Sequence, residues 1–600
     1  MKKYIASLFI LISTTLFSQE PTRILGSSFP YSLKPDSLFI INDSNFSEEE
    51  VLIIQTIQGI TSKSKPELYR DVGTGSSVWL NHLIENELIT PNFTFNSDFE
   101  GILSRFSEYI NGYVWCDLHT TSSNLAISLC GLLNAIPVTE NHLNLMDSLN
   151  IPLLYDLRDK DYNWALNTFE NLFSKNIVVY QDTVKDLCLG DYSVFTNSFH
   201  FYDDIHSDLV NTVFENMEKN SFLLGWGSDE YQTVNKSSSY SISVLPSDYA
   251  YNLSVLTNFD VSLSQKNHEI ETTTIDSTHT VCFLMSDGDN IQWLLNWFIT
   301  DERWFGSLNR GYVDIGWTIS PALSELAPTA MSKIFESAAN NIDGKDYFVA
   351  GPSGIGYIYP DSYTDLEDYT MQLDRYMQKS DLNIVNIIGN NFDDFYLYSF
   401  LDKPNINGLF YYDFSDYSAH NGEIKFLNNK PVISARYNLW GGFEHVKSLS
   451  SKINSLPKDP FSSSGYSLIP VHNWSNSVDS ILLCREFLDE NVKIVSPDKF
   501  INLIKKNLLI NNNEVIFRNY PNPTSDIIIV ELYVKPESVK SFNLYDTNGI
   551  KQNISDSKLI SISENLIKLE IGISNLKSGV YFLKIHLSDK NTVLLKIIKQ

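Results

Sequence analysis

Cysteine is scarce in this chain: Cys116, Cys130, Cys188, Cys282 and Cys484 are the five among 600 residues. Scattered and odd in number, they exclude a disulfide framework and match no metal-site spacing. Cys282 and Cys484 sit in apolar runs and read as small core residues. A bridge between Cys116 and Cys130 stays open, should the chain reach an oxidising compartment. Positive charge is short too, with 44 Lys and Arg against 72 Asp and Glu and a net charge of −28. That balance excludes nucleic acid and an anionic membrane surface as partners, since both select basic patches. Histidine is rare at 11 residues, and the only pair at close ligand-like spacing is His200 with His206. Past the N-terminus no apolar run is long enough to cross a bilayer.

What is present begins with "MKKYIASLFILISTTLFSQE". Two lysines, a short apolar run and small residues near Ser18 form the pattern of a secretory signal peptide. No cysteine follows, which excludes a lipoprotein. The expectation is a signal peptide at 1–18 and a mature chain from about Gln19. A chain of 600 residues, 43% of them hydrophobic, implies several domains, because single cores rarely grow past about 250–300 residues. Aromatics reach 13%. Most serve packing, but a surplus beside acidic clefts suits sugars, whose C–H faces stack on rings.

Between 280 and 509, short apolar strands alternate with helical stretches such as "APTAMSKIFESAANNI" and "DLEDYTMQLDRYMQK", the pattern of parallel α/β architecture. Candidate strands are 281–285, 313–317, 347–350, 384–388, 408–412, 432–435 and 467–471. Seven of them, with no edge-strand signal, fit a β/α barrel, whose chemistry sits on the loops after the strands. Those loops carry Asp287, Asp289 and Asn290, then Ser320-Pro321, then "GPSGIGYIYP" with Tyr357 and Tyr359. "GNNFDDFY" with Asn391 follows, then Asp413, Arg436, and last His472 with Trp474. Polar and aromatic residues at every strand end favour a ligand cleft. Ahead of this region, "SEEEVLIIQTIQGITSKSKPELYRDV" reads as a helix opened by a Ser47…Glu50 capping box and then a strand. "SSNLAISLCGLLNAIPVTE" and "HSDLVNTVFENMEKNSFLLGWGSDE" repeat helix then strand.

The C-terminal phrases "FRNYPNPTSDIIIVELYV", "VKSFNLYDTNGIK", "ISNLKSGVYFLKIHL" and "TVLLKIIKQ" alternate apolar residues around Asn-Pro and Asn-Gly turns, as a small all-β sandwich does. As a set they resemble the C-terminal sorting domain of the type IX secretion system. The resemblance implies that residues 517–600 form an independent sandwich, from about Asn519 onward, that addresses the chain to the type IX machinery. Export across the outer membrane then gives a secreted or cell-surface protein.

Gly354 to Pro360, "GIGYIYP", reproduces the motif of the GxGYxYP family of glycoside hydrolase candidates found in polysaccharide utilisation by Bacteroidetes. With the "SDGD" phrase, the resemblance covers roughly residues 40–510. It implies an N-terminal domain of three divergent repeats at 19–270, then a seven-stranded β/α barrel at 271–510, with the site between them. It also adds a glutamate from the end of the N-terminal domain to an Asp-x-Asp; Glu230 in "GWGSDEYQ" is the matching position.

Residues i and i+2 of an extended segment point the same way, roughly 6–7 Å apart, so Asp287 and Asp289 can face one pocket. Like charges so close raise the proton affinity of one member, and glycosidic cleavage needs one carboxylic acid and one carboxylate. The expected roles are Glu230 as general acid and Asp287 with Asp289 as the base. Asn290, Tyr357, Tyr359, Asn391, Asp413, Arg436, His472 and Trp474 are the expected substrate-binding residues. No cofactor and no metal ligand set is expected, and the partner is a carbohydrate. Two rivals stand: a non-catalytic glycan-binding surface protein, and a metal-dependent carbohydrate esterase or deacetylase. The second needs two close histidines, and the barrel's last loop offers His472 alone.

Overall fold

A computed structural model describes residues 28–268, 273–509, 517–532, 536–563, 566–588 and 592–600. The expected signal peptide lies outside the described residues. Three small parallel sheets come first. They hold Ser37–Asn42, Leu68–Asp71 and Thr90–Asn92; then Gly112–Trp115, Ala135–Val138 and Leu153–Asp156; then Ile177–Tyr180, His200–Phe201, Ser221–Gly225 and Ile242–Leu245. In each, the first strand is central, flanked by the second on one side and the third on the other. Helix Glu48–Ser62 starts at the capping box the sequence signals: Ser47 Oγ accepts from the Glu50 amide at 3.3 Å, and Glu50 Oε2 accepts from the Ser47 amide at 2.7 Å. Cys116 and Cys130 are both buried free thiols, and Cys282 and Cys484 are core residues.

The large sheet has nine strands among the described residues. Their order is Ile424–Leu427, Lys430–Ser434, Gly408–Asp413, Ile384–Gly389, Asp346–Ala350, Ile315–Ile319, His279–Met285 and Tyr466–Val471, with Val492–Ile494 also beside His279–Met285. Every residue of His279–Met285 is buried, the near-continuous apolar run expected of a strand covered on both faces. The sheet curls as a half-barrel, and the segment that follows Lys430–Ser434 meets Tyr466–Val471 at single points. The Arg436 amide donates to Leu468 O at 3.0 Å, and the Leu439 amide to Pro470 O at 2.9 Å. Two strands were not anticipated: Val492–Ile494, beside His279–Met285, and Ile424–Leu427, which pairs antiparallel with Lys430–Ser434. The hairpin of Ile424–Leu427 with Lys430–Ser434 turns on Asn428 and Asn429, with φ of 52° and 58°, the left-handed pair a two-residue turn requires.

The C-terminal strands form two four-stranded antiparallel sheets around one apolar core that includes Ile528, Leu569, Leu583 and Leu595. This unit does not stand apart from the half-barrel. Lys584 Nζ lies 2.9 Å from Asp394, Lys596 Nζ lies 2.6 Å from Glu367, and the Phe582 ring packs edge-on to Tyr398 at 5.7 Å. Among the described residues, no helix is long and apolar enough to cross a membrane.

Candidate functional site

Where His279–Met285 ends, the chain turns sharply: Asp287 has a φ of 69°. Gly288 presses against the neighbouring strand so closely that a Cβ there would stand 2.0 Å from the Thr318 carbonyl carbon. Its amide donates to Thr318 Oγ1 at 2.9 Å, and that hydroxyl donates to Met285 O at 2.9 Å. Any side chain at 288 would push the two carboxylates off the strand end. Asn290 closes the turn as the cap of helix Ile291–Asn296, its Oδ1 accepting from the Trp293 amide at 3.0 Å.

The two aspartates differ in partners. Asp287 accepts from the Ser286 hydroxyl, the Trp474 side chain and the Asn473 amide, and faces His472. Burial raises its proton affinity, and these donors hold the rise down. Asp289 is buried, 7% exposed, and only its own amide is arranged to favour its charge. Burial first, then the charges of Asp287 and Glu230, push it well above the ordinary carboxylate range. Glu230 opens helix Glu230–Ser239, just past the carboxyl end of strand Ser221–Gly225. The residue keeps an exposed surface, yet its Oε1 accepts from the hydroxyl of buried Tyr357 at 2.8 Å. Burial of the carboxyl and the Asp287 charge raise its proton affinity, while the Tyr357 bond opposes them. The three carboxylates, from two parts of the chain, therefore share one electrostatic environment.

The glycine–tyrosine segment builds that junction. The Tyr357 amide donates to Val244 O at 2.8 Å, and the Val244 amide donates back to Tyr357 O at 3.1 Å. A Cβ at Gly356 would stand 2.9 Å from Val244 O, so this close backbone pairing needs the glycine. The Tyr359 amide donates to Ser238 Oγ at 3.0 Å, and Tyr363 Oη to Ser241 O at 2.9 Å. The segment thus stitches the half-barrel onto the third small sheet and its helix, and delivers the Tyr357 hydroxyl to Glu230.

Aromatic rings frame the carboxylates. Trp226 stacks on Tyr357 at 6.5 Å and 15°, and Tyr231 lies against Tyr359 and Phe414 at 5.5 and 5.0 Å. Trp440 stacks on His472 at 3.8 Å and 5°. Tyr417 stacks on Tyr412 and meets the Trp440 edge; burial, then Glu230 and Asp287, push its phenol well above its usual range. Sequence reading missed Trp226, Tyr231, Tyr417 and Trp440. A usable signal existed for Trp440, which precedes Gly441-Gly442 in a loop beyond a predicted strand.

Comparison with known proteins settles the family. A crystal structure described as a putative hydrolase from Bacteroides thetaiotaomicron matches with a TM-score of 0.74 and 31% identity, over 80% of this chain and 97% of that one. Residues 277–505 match the GxGYxYP putative glycoside hydrolase C-terminal domain, and 37–108, 110–172 and 175–258 match the family's first, second and third N-terminal domains. The chain belongs to the GxGYxYP family. Residues 518–600 match a secretion system C-terminal sorting domain, which implies type IX export to the outer surface or medium. No curated protein matches the chain.

Within this GxGYxYP chain, Glu230, Asp287, Asp289, Tyr357, Tyr359, His472 and Trp474 come together. Arg436 does not join them. Its Nε donates to Tyr466 O at 2.9 Å and its Nη2 to Ser463 O at 3.1 Å and Gly422 O at 3.3 Å. Tyr466 begins its strand, so the guanidinium points to the amino ends of the strands, beside His279, away from Asp287. Asn290 spends its side-chain oxygen on the helix cap. Asn391 Nδ2 donates to Asp361 at 3.1 Å, and Asp413 accepts from Ser415 Oγ at 2.6 Å; both are engaged in neighbouring loops. His200 is buried, its Nε2 2.8 Å from Gln181 Oε1, and burial pushes it down to about 3. Among the described residues, no group of three or more His, Cys, Asp or Glu is placed to hold a metal ion.

Proposed function

We propose that this chain is a glycoside hydrolase acting on an oligosaccharide or polysaccharide in the cleft between its third N-terminal unit and the half-barrel, with Glu230, Asp287 and Asp289 as the working carboxylates. One observation carries the reading: Glu230, Asp287 and Asp289, from two parts of the chain, meet inside a frame of aromatic rings, where the Asp287 charge raises the proton affinity of the other two. Such perturbed acids gather where proton transfer is needed. Ring faces beside carboxylates suit sugar C–H surfaces and hydroxyls.

The partners modify the expected roles. Asp287, with three donors, is the carboxylate best held as an anion, fit to activate water or attack the anomeric carbon. Asp289, last to lose its proton, is fit to protonate the glycosidic oxygen. Glu230, tied to Tyr357, shares the orientation of water or sugar hydroxyls. The wider reading takes the curled sheet as a seven-stranded barrel, supported by the pairing around Ala435 and Leu468. It takes the three small sheets as divergent repeats, supported by their common strand order. A signal peptide passes the chain to the periplasm before type IX export.

The test is release of new reducing ends from a panel of polysaccharides by the purified protein. Release supports hydrolysis. Saturable glycan binding without release favours the lectin-like alternative.

A further inference from the structure

A cavity of about 540 Å³ lies outside the carboxylate cleft. Its walls come from Asp43, Ser44 and Phe46, from Arg70, and from Leu187 and Tyr251 across the way. Asp43 directly follows strand Ser37–Asn42, and Val72 and Gly73, also on the wall, directly follow Leu68–Asp71. The cavity therefore opens at the carboxyl ends of parallel strands, where α/β sheets hold ligands. Glu230 stands in the same relation to the third sheet, one short turn past the end of Ser221–Gly225.

The wall is a built one. Arg70 is 1% exposed. Its Nε donates to Asp43 at 3.1 Å, its Nη1 to Gln55 Oε1 at 3.2 Å, and its Nη2 to Asp43 and to Leu187 O at 3.0 Å. That uses four of the guanidinium's five N–H groups. The Tyr251 ring lies 5.6 Å from the guanidinium carbon. A buried ion pair adds little net stability over apolar packing, so one fixed at the wall of an open cavity suggests a task in recognition.

We propose that this cavity is an accessory binding site for a neutral sugar, one or two residues long. This rests on the reading that the protein's ligand is a glycan. The volume falls in the range of small-ligand sites. The Asp43 carboxylate accepts from sugar hydroxyls, the Arg70 N–H left over donates to one, and Tyr251 and Phe46 offer ring surface. Asp43 and Glu48 on the wall disfavour acidic sugars.

The experiment is calorimetric titration of the full chain carrying Asp289→Asn with cellobiose, xylobiose, maltose and lactose, with galacturonic acid as the charged control. At least one neutral disaccharide binds. Adding Ser44→Trp, which fills the cavity from an exposed position, weakens that binding about tenfold or more, while Trp440→Ala in the cleft leaves it in place. Asp43→Asn, which keeps the shape, weakens it too, and melting curves confirm that each variant folds. No neutral disaccharide binding, or binding lost with Trp440→Ala and untouched by Ser44→Trp, overturns the proposal. Reducing-end release by the wild type with no Ser44-dependent binding sinks this inference alone. Ser44-dependent binding without any release sinks the hydrolase reading and leaves the accessory site standing.

Discussion

Asp346 and Asp289 are both buried acids on the same half-barrel, at opposite ends of its strands. Asp346 begins strand Asp346–Ala350 and is ion-paired to Arg310. It also accepts from Trp317 Nε1 at 2.8 Å and from the Ala339 amide at 2.7 Å. Elsewhere Glu325 meets Lys379 at 2.5 Å, and Asp248 meets Lys185. Among the described residues, Glu230, Asp287 and Asp289 have no Lys or Arg partner: the charge beside Asp287 is His472, those beside Asp289 are Asp287 and Glu230, and those beside Glu230 are Asp287 and Asp229. A buried acid with a cation and several donors is a structural fixture. Three neighbouring acids without a cation, Asp289 buried, Asp287 half-buried and Glu230 at the cleft surface, keep their protons within reach of chemistry, at a cost in stability.

That contrast can be broken by exchange. Asp287→Asn should lower turnover by roughly 10²–10⁴-fold, the usual worth of acid–base help, with little change in melting temperature; steady-state kinetics and a melting curve check both. Asp346→Ala should do the reverse. Stranding the Arg310 charge costs roughly 3–5 kcal/mol of stability in urea unfolding, with turnover per folded molecule unchanged. Tyr357→Phe removes one hydrogen bond to a charged group, worth roughly 1.5–3 kcal/mol. Turnover should drop accordingly, and the pH–rate limb of Glu230 should move upward, because the lost bond favoured its ionised form.

The pH dependence of stability sharpens the comparison further. Asp289 binds its proton more tightly folded than unfolded. Its contribution is therefore most favourable below the unfolded value of 3.8, falls as pH rises through the folded value, and levels off above it. Asp289→Asn should flatten that fall and raise the melting temperature at pH 7. The smallest effect belongs to the sorting domain. Lys596→Ala, across its partly exposed pair with Glu367, should change stability by about 1 kcal/mol or less.

Much of this was legible in the sequence because buried parallel strands write themselves as apolar runs. All seven candidate strands occur within the large sheet, most within two residues of their expected bounds. Asp287 and Asp289 were legible because an apolar strand running into paired acids is a costly arrangement, and Gly288 shows why the spacing is one glycine. Arg436 misled because its position follows a strand's carboxyl end while its long side chain runs back to carbonyls at the amino ends. Asn290 read as a ligand and is a helix cap. The stacking of Trp440 on His472 joins residues far apart in the chain, and no local period encodes it. The hairpin at Asn428-Asn429 carried a readable turn signal that the strand count passed over.

The central claim is that three carboxylates without a cation perform glycoside hydrolysis, with Asp289 keeping the proton. Its most direct test is turnover of Asp289→Asn on a glycan that the wild type cleaves, with glycan affinity measured alongside. The account predicts turnover reduced by roughly 10²–10⁴-fold at near wild-type affinity. An Asp289→Asn protein that cleaves the same glycan at near wild-type rate contradicts it.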